Sequence, residues 1–126
     1  MNIWSGHDRG ASKPGPLGEE VAARYLERRG LQVLQRNLRT PVGEIDILAR
    51  EGKTLVFVEV KTRRSLAFGS PQEAVGPTKQ RQILRAAQWY LSGATPRTTV
   101  RFDVVAILAG PGEPVIEHIV NAFGLD

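Results

Sequence analysis

The sequence predicts a mixed α/β fold in the order α-β-β-β-α-β-β, with a central mixed β-sheet flanked by helices. Two segments have apolar residues at helical spacing, and five have the alternation or the apolar runs of strands. The third strand, at residues 54–62, begins apolar on both faces, which is typical of a central strand covered on both sides. The second helix connects the third and fourth strands, and a crossover helix usually links parallel strands.

The first helix is predicted to begin at residue 17, because Leu17, Val21, Leu26 and the residues between them recur at helical spacing. Gly30 follows the last turn and predicts its end. The preceding residues 1–16 contain three glycines and two prolines without any apolar period. They predict a mobile arm, and residues 17–126 are predicted to form a single domain.

The remaining elements follow from apolar runs bounded by turn residues. In chain order they are a strand at 31–36, a strand at 43–50, a tight turn at 51–53, a strand at 54–62, a basic loop at 63–78, a helix from about Lys79 to Gly93, a strand at 98–108 and a strand at 115–120.

The composition excludes several classes of function. The chain has 126 residues and no cysteine, which excludes disulfides, thiolate catalysis and sulfur-ligated zinc. We find no apolar run near the roughly 20 residues that span a bilayer, and no apolar signal segment at the N-terminus. The sequence therefore predicts a cytoplasmic protein without a membrane anchor.

Positive charge is unevenly distributed along the chain. The net charge is +4, but residues 61–101 contain eight Lys or Arg and one acidic residue, whereas residues 102–126 contain four acidic residues and no Lys or Arg. A basic stretch of this kind is typical of a protein that binds a polyphosphate such as nucleic acid, although a solvated helix face is the alternative. The candidate phosphate-binding residues are Arg63, Arg64, Lys79, Arg81 and Arg85.

Charged residues at the ends of two apolar strands are the main candidates for catalysis. Asp46 lies on the second strand, and Glu59 and Lys61 share one face of the third. Burying these groups is unfavourable unless each has a partner, and ordinary ion pairs are one solution. The alternative is Mg²⁺ or Mn²⁺ bound by Asp46, Glu59 and the Val60 carbonyl, with Lys61 orienting water or stabilising charge. Glu19, at the margin of the first helix's apolar stripe, is a further ligand, directly or through water.

This pattern resembles the PD-(D/E)XK nuclease superfamily, whose core is a restriction-endonuclease-like fold. The resemblance rests on Asp46 followed by Glu59-Val60-Lys61 after an apolar strand, although Ile45 replaces the usual proline. From residue 17 to the C-terminus the chain looks more closely like the bacterial YraN-type family. The segments that carry this likeness are Gly18-Glu19, Gly43-Glu44-Ile45-Asp46, Phe57 to Lys61, Pro71, Glu73-Ala74-Val75, Lys79-Gln80 and Arg101 to Val105.

The resemblance implies that Glu19, Asp46, Glu59 and Lys61 occupy the acid, metal and lysine positions of a nuclease core. Because the family is similar to archaeal Holliday junction resolvases, it also implies a Mg²⁺-dependent endonuclease that acts on branched or structured DNA, and a two-fold homodimer. Two alternatives stay open at this point. The first alternative to a nuclease is a nucleic-acid-binding module with little or no catalysis. The second is an interaction protein that oligomerises through its second helix and acidic C-terminal stretch.

Several other residues receive structural interpretations. Asp103 lies in an apolar strand, and we expect it to pair with an arginine. His118 is expected on a strand surface, and Trp89 and Tyr90 in the core or at a subunit contact. Glu44 shares the predicted strand face of Asp46, where it either flanks the metal or anchors the following loop.

Overall fold

The structure is a computed structural model that describes residues 16–63, 75–93 and 98–124, with backbone alone for residues 16 and 17. Its elements are α1 (Pro16–Arg28), β1 (Gln32–Thr40), β2 (Gly43–Glu51), β3 (Thr54–Arg63), α2 (Pro77–Tyr90), β4 (Thr99–Leu108) and β5 (Val115–Phe123). This order confirms the predicted α-β-β-β-α-β-β arrangement. The helix begins at Pro16, and the rest of the predicted arm lies outside the described residues.

The five strands form one sheet in the order β1-β2-β3-β4-β5. The β1–β2 and β2–β3 pairs are antiparallel, β3–β4 is parallel, and β4–β5 is antiparallel. The chain reaches β4 from β3 through α2, as expected for a crossover between parallel strands. The predicted mixed sheet is therefore confirmed, and β3 is its central strand.

The sheet is covered by α1 on one face and by α2 on the other. Val56, Val58 and Val60 of β3 pack in the apolar cluster that includes α1, whereas Phe57 packs in the cluster that includes α2. Burial of each such side chain contributes about 1.5–3 kcal/mol. Strand alternation therefore divides β3 between two cores, and it directs Glu59 and Lys61 to the same face as Phe57.

Two strands extend three or four residues beyond their predicted ends. β1 continues to Thr40, four residues past the predicted end, because it lies at an edge of the described sheet and its exposed side chains need no apolar pattern. β5 continues to Phe123 beyond Asn121, which adopts a left-handed backbone with φ of 57°. Periodicity does not indicate strands of this kind, because main-chain pairing alone extends them.

The aromatic pair at the end of α2 is exposed. Trp89 is 49% exposed, so its placement in the core is wrong, and a subunit contact stays a prediction. The Tyr90 and Phe57 rings pack in a T-shaped arrangement, with 6.1 Å between ring centroids.

Asp103 is fully buried at 0% exposure on β4 and is surrounded by donors. Arg101 donates from Nε to Oδ1 at 2.9 Å and from Nη2 to Oδ2 at 3.0 Å, and the Asn121 amide donates to Oδ1 at 2.9 Å. The two bonds from Arg101 confirm the expected arginine pair. His118 Nε2 lies 2.8 Å from Oδ2. Because the His118 side chain is largely buried against Asp103 and Tyr25, its expected place on the strand surface is wrong.

Gly43 allows a close approach between β2 and α2. A Cβ atom at this position would lie 3.2 Å from the Gln82 carbonyl oxygen and 3.5 Å from the Ala86 Cβ. Both glycines have a positive φ, of 156° at Gly43 and 61° at Gly52, but a Cβ atom at Gly52 would meet nothing within 4 Å.

We expect Gly43→Ala to destabilise the protein by about 1–2 kcal/mol more than Gly52→Ala, because only Gly43 adds a helix clash to the backbone strain. Urea denaturation of the two variants measures the difference. Equal destabilisation would contradict the close approach of α2.

Candidate metal centre and active site

The site lies where β2 and β3 stop pairing through their main chains. The paired residues of this ladder run from Glu51 and Thr54 to Ile47 and Val58. At the next step, the Val60 amide donates to Asp46 Oδ2 at 2.8 Å. The Asp46 carboxylate therefore satisfies a backbone donor that a strand carbonyl would otherwise satisfy, and it is held between the two strands.

The β2 chain also turns about its own axis at Asp46. Ile45 and Ile47 are two residues apart and would share a face in a regular strand. Ile45 instead packs in the α2 cluster, and Ile47 packs in the α1 cluster. The irregular backbone explains how Asp46 points toward β3 rather than straight into either layer.

Asp46 and Glu59 form a buried pair of carboxyl groups. They are 7% and 4% exposed, respectively. Burial, the charge of Asp46 and a hydrogen bond with Asp46 raise the pKa of Glu59 to about 8, although Lys79 and Lys61 act in the opposite direction. At neutral pH the metal-free pair therefore retains a proton. Two buried carboxyl groups that resist ionising together are a fitting donor set for a divalent cation, because oxygen ligands and charge compensation are what Mg²⁺ requires.

Two lysines accompany the acid pair. Lys61 is buried, and burial lowers the pKa of its ammonium group, while the charge of Glu59 opposes this effect. Lys79 Nζ lies 3.8 Å from Glu59 Oε2, and its side chain is 42% exposed. Lys79 therefore contacts a candidate metal ligand and also reaches solvent, a combination that its place in the basic stretch did not indicate.

Glu19, the remaining predicted ligand, lies on α1. Its buried carboxylate accepts a hydrogen bond from Asn37 Nδ2 at 2.8 Å. The described residues contain no set of three or more His, Asp or Glu side chains arranged to hold a metal ion. A cation at this site would therefore have Asp46 and Glu59 as its carboxylate ligands. Water, substrate and the predicted Val60 carbonyl would supply the others, and Glu19 would act through water.

The predicted phosphate-binding residues fall into separate groups. Lys79 lies beside the acid pair, whereas Arg81 and Arg85 are exposed and lie four residues apart, on one face of α2. At about 100° per residue, this face is roughly 120–160° around the helix from Lys79. Arg63 is half-buried at the end of β3, and Arg64 lies outside the described residues.

Glu44 is half-buried and lies 4.0 Å from the exposed Arg39 guanidinium. Asn37 was not identified as a candidate, although its side chain holds Glu19. The only signal for it in the sequence is an asparagine within a polar segment, and many surface residues share that property.

The comparisons with known proteins agree on one family. The family model described as the uncharacterised protein family UPF0102 matches residues 18–107. A UPF0102 protein of Syntrophotalea carbinolica is 56% identical over 113 residues, covering 89% of this chain and 92% of that protein. A UPF0102 protein of Rhodococcus jostii is 52% identical over 111 residues, covering 86% and 94%. One of Anaeromyxobacter dehalogenans is 46% identical over 122 residues, covering 96% and 91%.

The mixed five-stranded sheet between two helices, with an acid on each of two adjacent strands, defines a restriction-endonuclease-like α/β protein related to the PD-(D/E)XK group. The chain belongs to the family UPF0102, which confirms the YraN-type resemblance. Across the described part of the chain, neither helix is long and apolar enough to cross a membrane.

Proposed function

We propose that the protein is a Mg²⁺- or Mn²⁺-dependent nuclease that hydrolyses phosphodiester bonds in branched or otherwise structured DNA, in the manner of Holliday junction resolvases. The observation that carries the proposal is the buried Asp46–Glu59 pair at the point where β2 and β3 separate. Lys61 belongs to the same group of interacting charges. Membership of the PD-(D/E)XK-related UPF0102 family supports the same assignment.

The residues of the site fit the needs of phosphodiester hydrolysis. Asp46 and Glu59 would bind the cation, which supplies an activated water and offsets the charge that develops on the phosphate. The Val60 amide fixes one oxygen of Asp46, so this ligand is oriented before any ion arrives. Lys61 lies two residues from Glu59 on the same strand face, where its ammonium group orients the water or stabilises the developing charge.

The basic residues provide the contacts to DNA in this proposal. Lys79, beside the acid pair, binds a phosphate next to the cleaved bond, and Arg63 extends the positive charge along β3. Arg81 and Arg85 face away from the acid pair and would bind a more distant part of the substrate. A two-fold homodimer would cut two strands symmetrically, and the cytoplasm is where it would meet chromosomal DNA.

The second candidate function is a nucleic-acid-binding protein of the same fold with little or no catalysis. One observation favours it: the described side chains supply two grouped carboxylates for a cation rather than three. In such a protein, binding to DNA would fall steeply with salt and would not respond to Mg²⁺.

Asp46→Asn is expected to remove the calorimetric signal of Mn²⁺ binding and to abolish Mn²⁺-dependent cleavage, because it replaces an anionic ligand by a neutral amide. The purified variant and the wild type should be titrated with Mn²⁺ and incubated with labelled junction, flap, duplex and single-stranded DNA. DNA binding without metal should stay within about threefold of the wild type, since the basic residues are unchanged.

Glu27→Gln is the matched control, because Glu27 is an exposed acid of α1 and the change in formal charge is the same. Persistent cleavage by Asp46→Asn would overturn the nuclease proposal. Tight, salt-dependent DNA binding with no Mn²⁺ signal in the wild type would support the binding module instead.

A further inference from the structure

Asn37 of β1 lies directly across the sheet from Asp46. The register pairs Arg36 with Ile47 and Leu38 with Ile45, so the position between them places Asn37 opposite Asp46. Both chains depart from regular strand alternation here, because Asn37 has a left-handed backbone and β2 turns about its own axis at Asp46. In the register of the sheet, Asn37 is therefore a neighbour of Asp46, although it carries no charge.

The side chain of Asn37 connects this position to α1. Its Nδ2 atom donates to Glu19 Oε1 at 2.8 Å, and the Glu19 carboxylate is 4% exposed. Because the amide is fixed to β1 opposite Asp46, the hydrogen bond draws the Glu19 carboxylate toward the same end of the sheet. The hydrogen bond therefore connects Glu19 of α1 to the position on β1 that lies opposite Asp46.

The backbone conformation of Asn37 indicates a role for this residue beyond packing. It adopts a left-handed conformation with φ of 55°, which asparagine tolerates better than most residues other than glycine. At the same point, Arg36 contacts Glu20 of α1 whereas Leu38 packs in the α2 cluster, although residues two apart share a face in a regular strand. The local strain is thus located at the residue that holds Glu19.

We propose that Asn37 is a positioning residue that orients Glu19 toward the metal centre, so that Glu19 contributes to metal binding through an ordered water. This inference rests on the proposed function, because it assigns Asn37 to the Asp46–Glu59 metal centre. Outer hydrogen-bond partners of this type hold a ligating group in place, and their loss weakens metal binding about 10- to 100-fold.

The experiment separates the amide of Asn37 from its backbone. Asn37→Gly removes the side chain and retains the left-handed backbone, whereas Asn37→Ala removes the same side chain and adds strain. Both variants are expected to weaken Mn²⁺ binding about tenfold by calorimetry, and only Asn37→Ala should also lower the melting temperature of the metal-free protein appreciably. An effect on metal binding that appears in Asn37→Ala alone would overturn the assignment.

Arg36→Gln is the matched control. It removes the adjacent contact between β1 and α1, the 2.8 Å pair of Arg36 Nη1 with Glu20 Oε1, and leaves Glu19 untouched. If Asn37 only fastens the helix to the sheet, both changes will affect metal binding alike. Our inference requires that Arg36→Gln leave Mn²⁺ affinity within about twofold of the wild type.

A double-mutant cycle tests whether Asn37 acts through Glu19. Glu19→Gln should weaken Mn²⁺ binding by about as much as Asn37→Gly, and the double variant should lose no more than Glu19→Gln alone. Fully additive losses would overturn the positioning role. If the wild type binds Mn²⁺ in an Asp46-dependent way and Asn37→Gly binds it with the same affinity, this inference alone fails. If the wild type gives no Mn²⁺ signal, the proposed function fails together with it.

Discussion

Replacing Glu59 by glutamine is expected to stabilise the metal-free protein by about 4 kcal/mol at pH 8 and to abolish metal-dependent cleavage. The stability gain arises because glutamine imitates the neutral acid that the buried site favours, without the charge that it disfavours. The loss of cleavage arises because the same substitution removes an anionic ligand. One change therefore raises stability and removes activity.

The raised pKa of Glu59 determines how the stability of the metal-free protein changes with pH. The pKa of Glu59 rises from an ordinary value of 4.5 to about 8 on folding. Between these values the folded protein holds a proton that the unfolded chain has released, so the Glu59 contribution to stability falls as the pH rises from about 4.5 to about 8. At pH 4, where both states are protonated, the variant and the wild type should differ little.

Urea denaturation of metal-free protein at pH 4, 6 and 8 measures the effect as the difference between Glu59→Gln and the wild type. Glu27→Gln again serves as the charge-matched control, because Glu27 is exposed on α1. If the difference in unfolding free energy between Glu59→Gln and the wild type stays constant from pH 4 to pH 8, Glu59 ionises in the folded protein without an energetic cost. That result would contradict the raised pKa of Glu59 beside Asp46.

Replacing Asp103 by asparagine is expected to destabilise the protein by about 3–5 kcal/mol and to leave Mn²⁺ affinity unchanged in the fraction that folds. Asp103 is fully buried and accepts hydrogen bonds from Arg101 and the Asn121 amide, with His118 at 2.8 Å. Removing its charge leaves the Arg101 guanidinium without its buried partner. The residue belongs to β4 rather than to the candidate site, so stability and metal binding should separate.

Burial raises the pKa of Asp103, but the hydrogen bonds from His118, Arg101 and the Asn121 amide outweigh it and lower the pKa below 3.8. The stabilising contribution is therefore complete above the ordinary value and is lost as the pH falls through the folded value. Glu51→Gln is the control, because it breaks only the more exposed contact of Arg101, at 2.7 Å, and should change stability by about 1 kcal/mol or less. Mild destabilisation by Asp103→Asn, or a specific loss of Mn²⁺ binding, would contradict this separation.

The sequence predicts the order of the elements and the central position of β3 because both depend on apolar periodicity. Strands at the sheet edges have exposed side chains without apolar alternation, so apolar periodicity predicts ends for β1 and β5 that are too early. His118 was misplaced for a related reason. Its burial depends on β5 lying next to Asp103 of β4, and the segment that contains it has no pattern that indicates a buried polar partner.

The candidate site was partly predictable in the same way. Alternation places Glu59 and Lys61 on one face, and the hairpin brings Asp46 close to them, so these residues follow from local rules. The contact of Lys79 with Glu59 depends on where the crossover returns α2 to the sheet, and the role of Asn37 depends on a register one strand further away. Neither is encoded in a spacing along the chain.

The transition from main-chain pairing to a side-chain acceptor between β2 and β3 has a consequence for communication within the molecule. On one side of Ile47 the two strands are joined by peptide groups, which do not titrate or bind ions. On the other side an amide of the central strand depends on a carboxylate that can do both. Proton uptake or ion capture by Asp46 would therefore act directly on the backbone of the innermost strand.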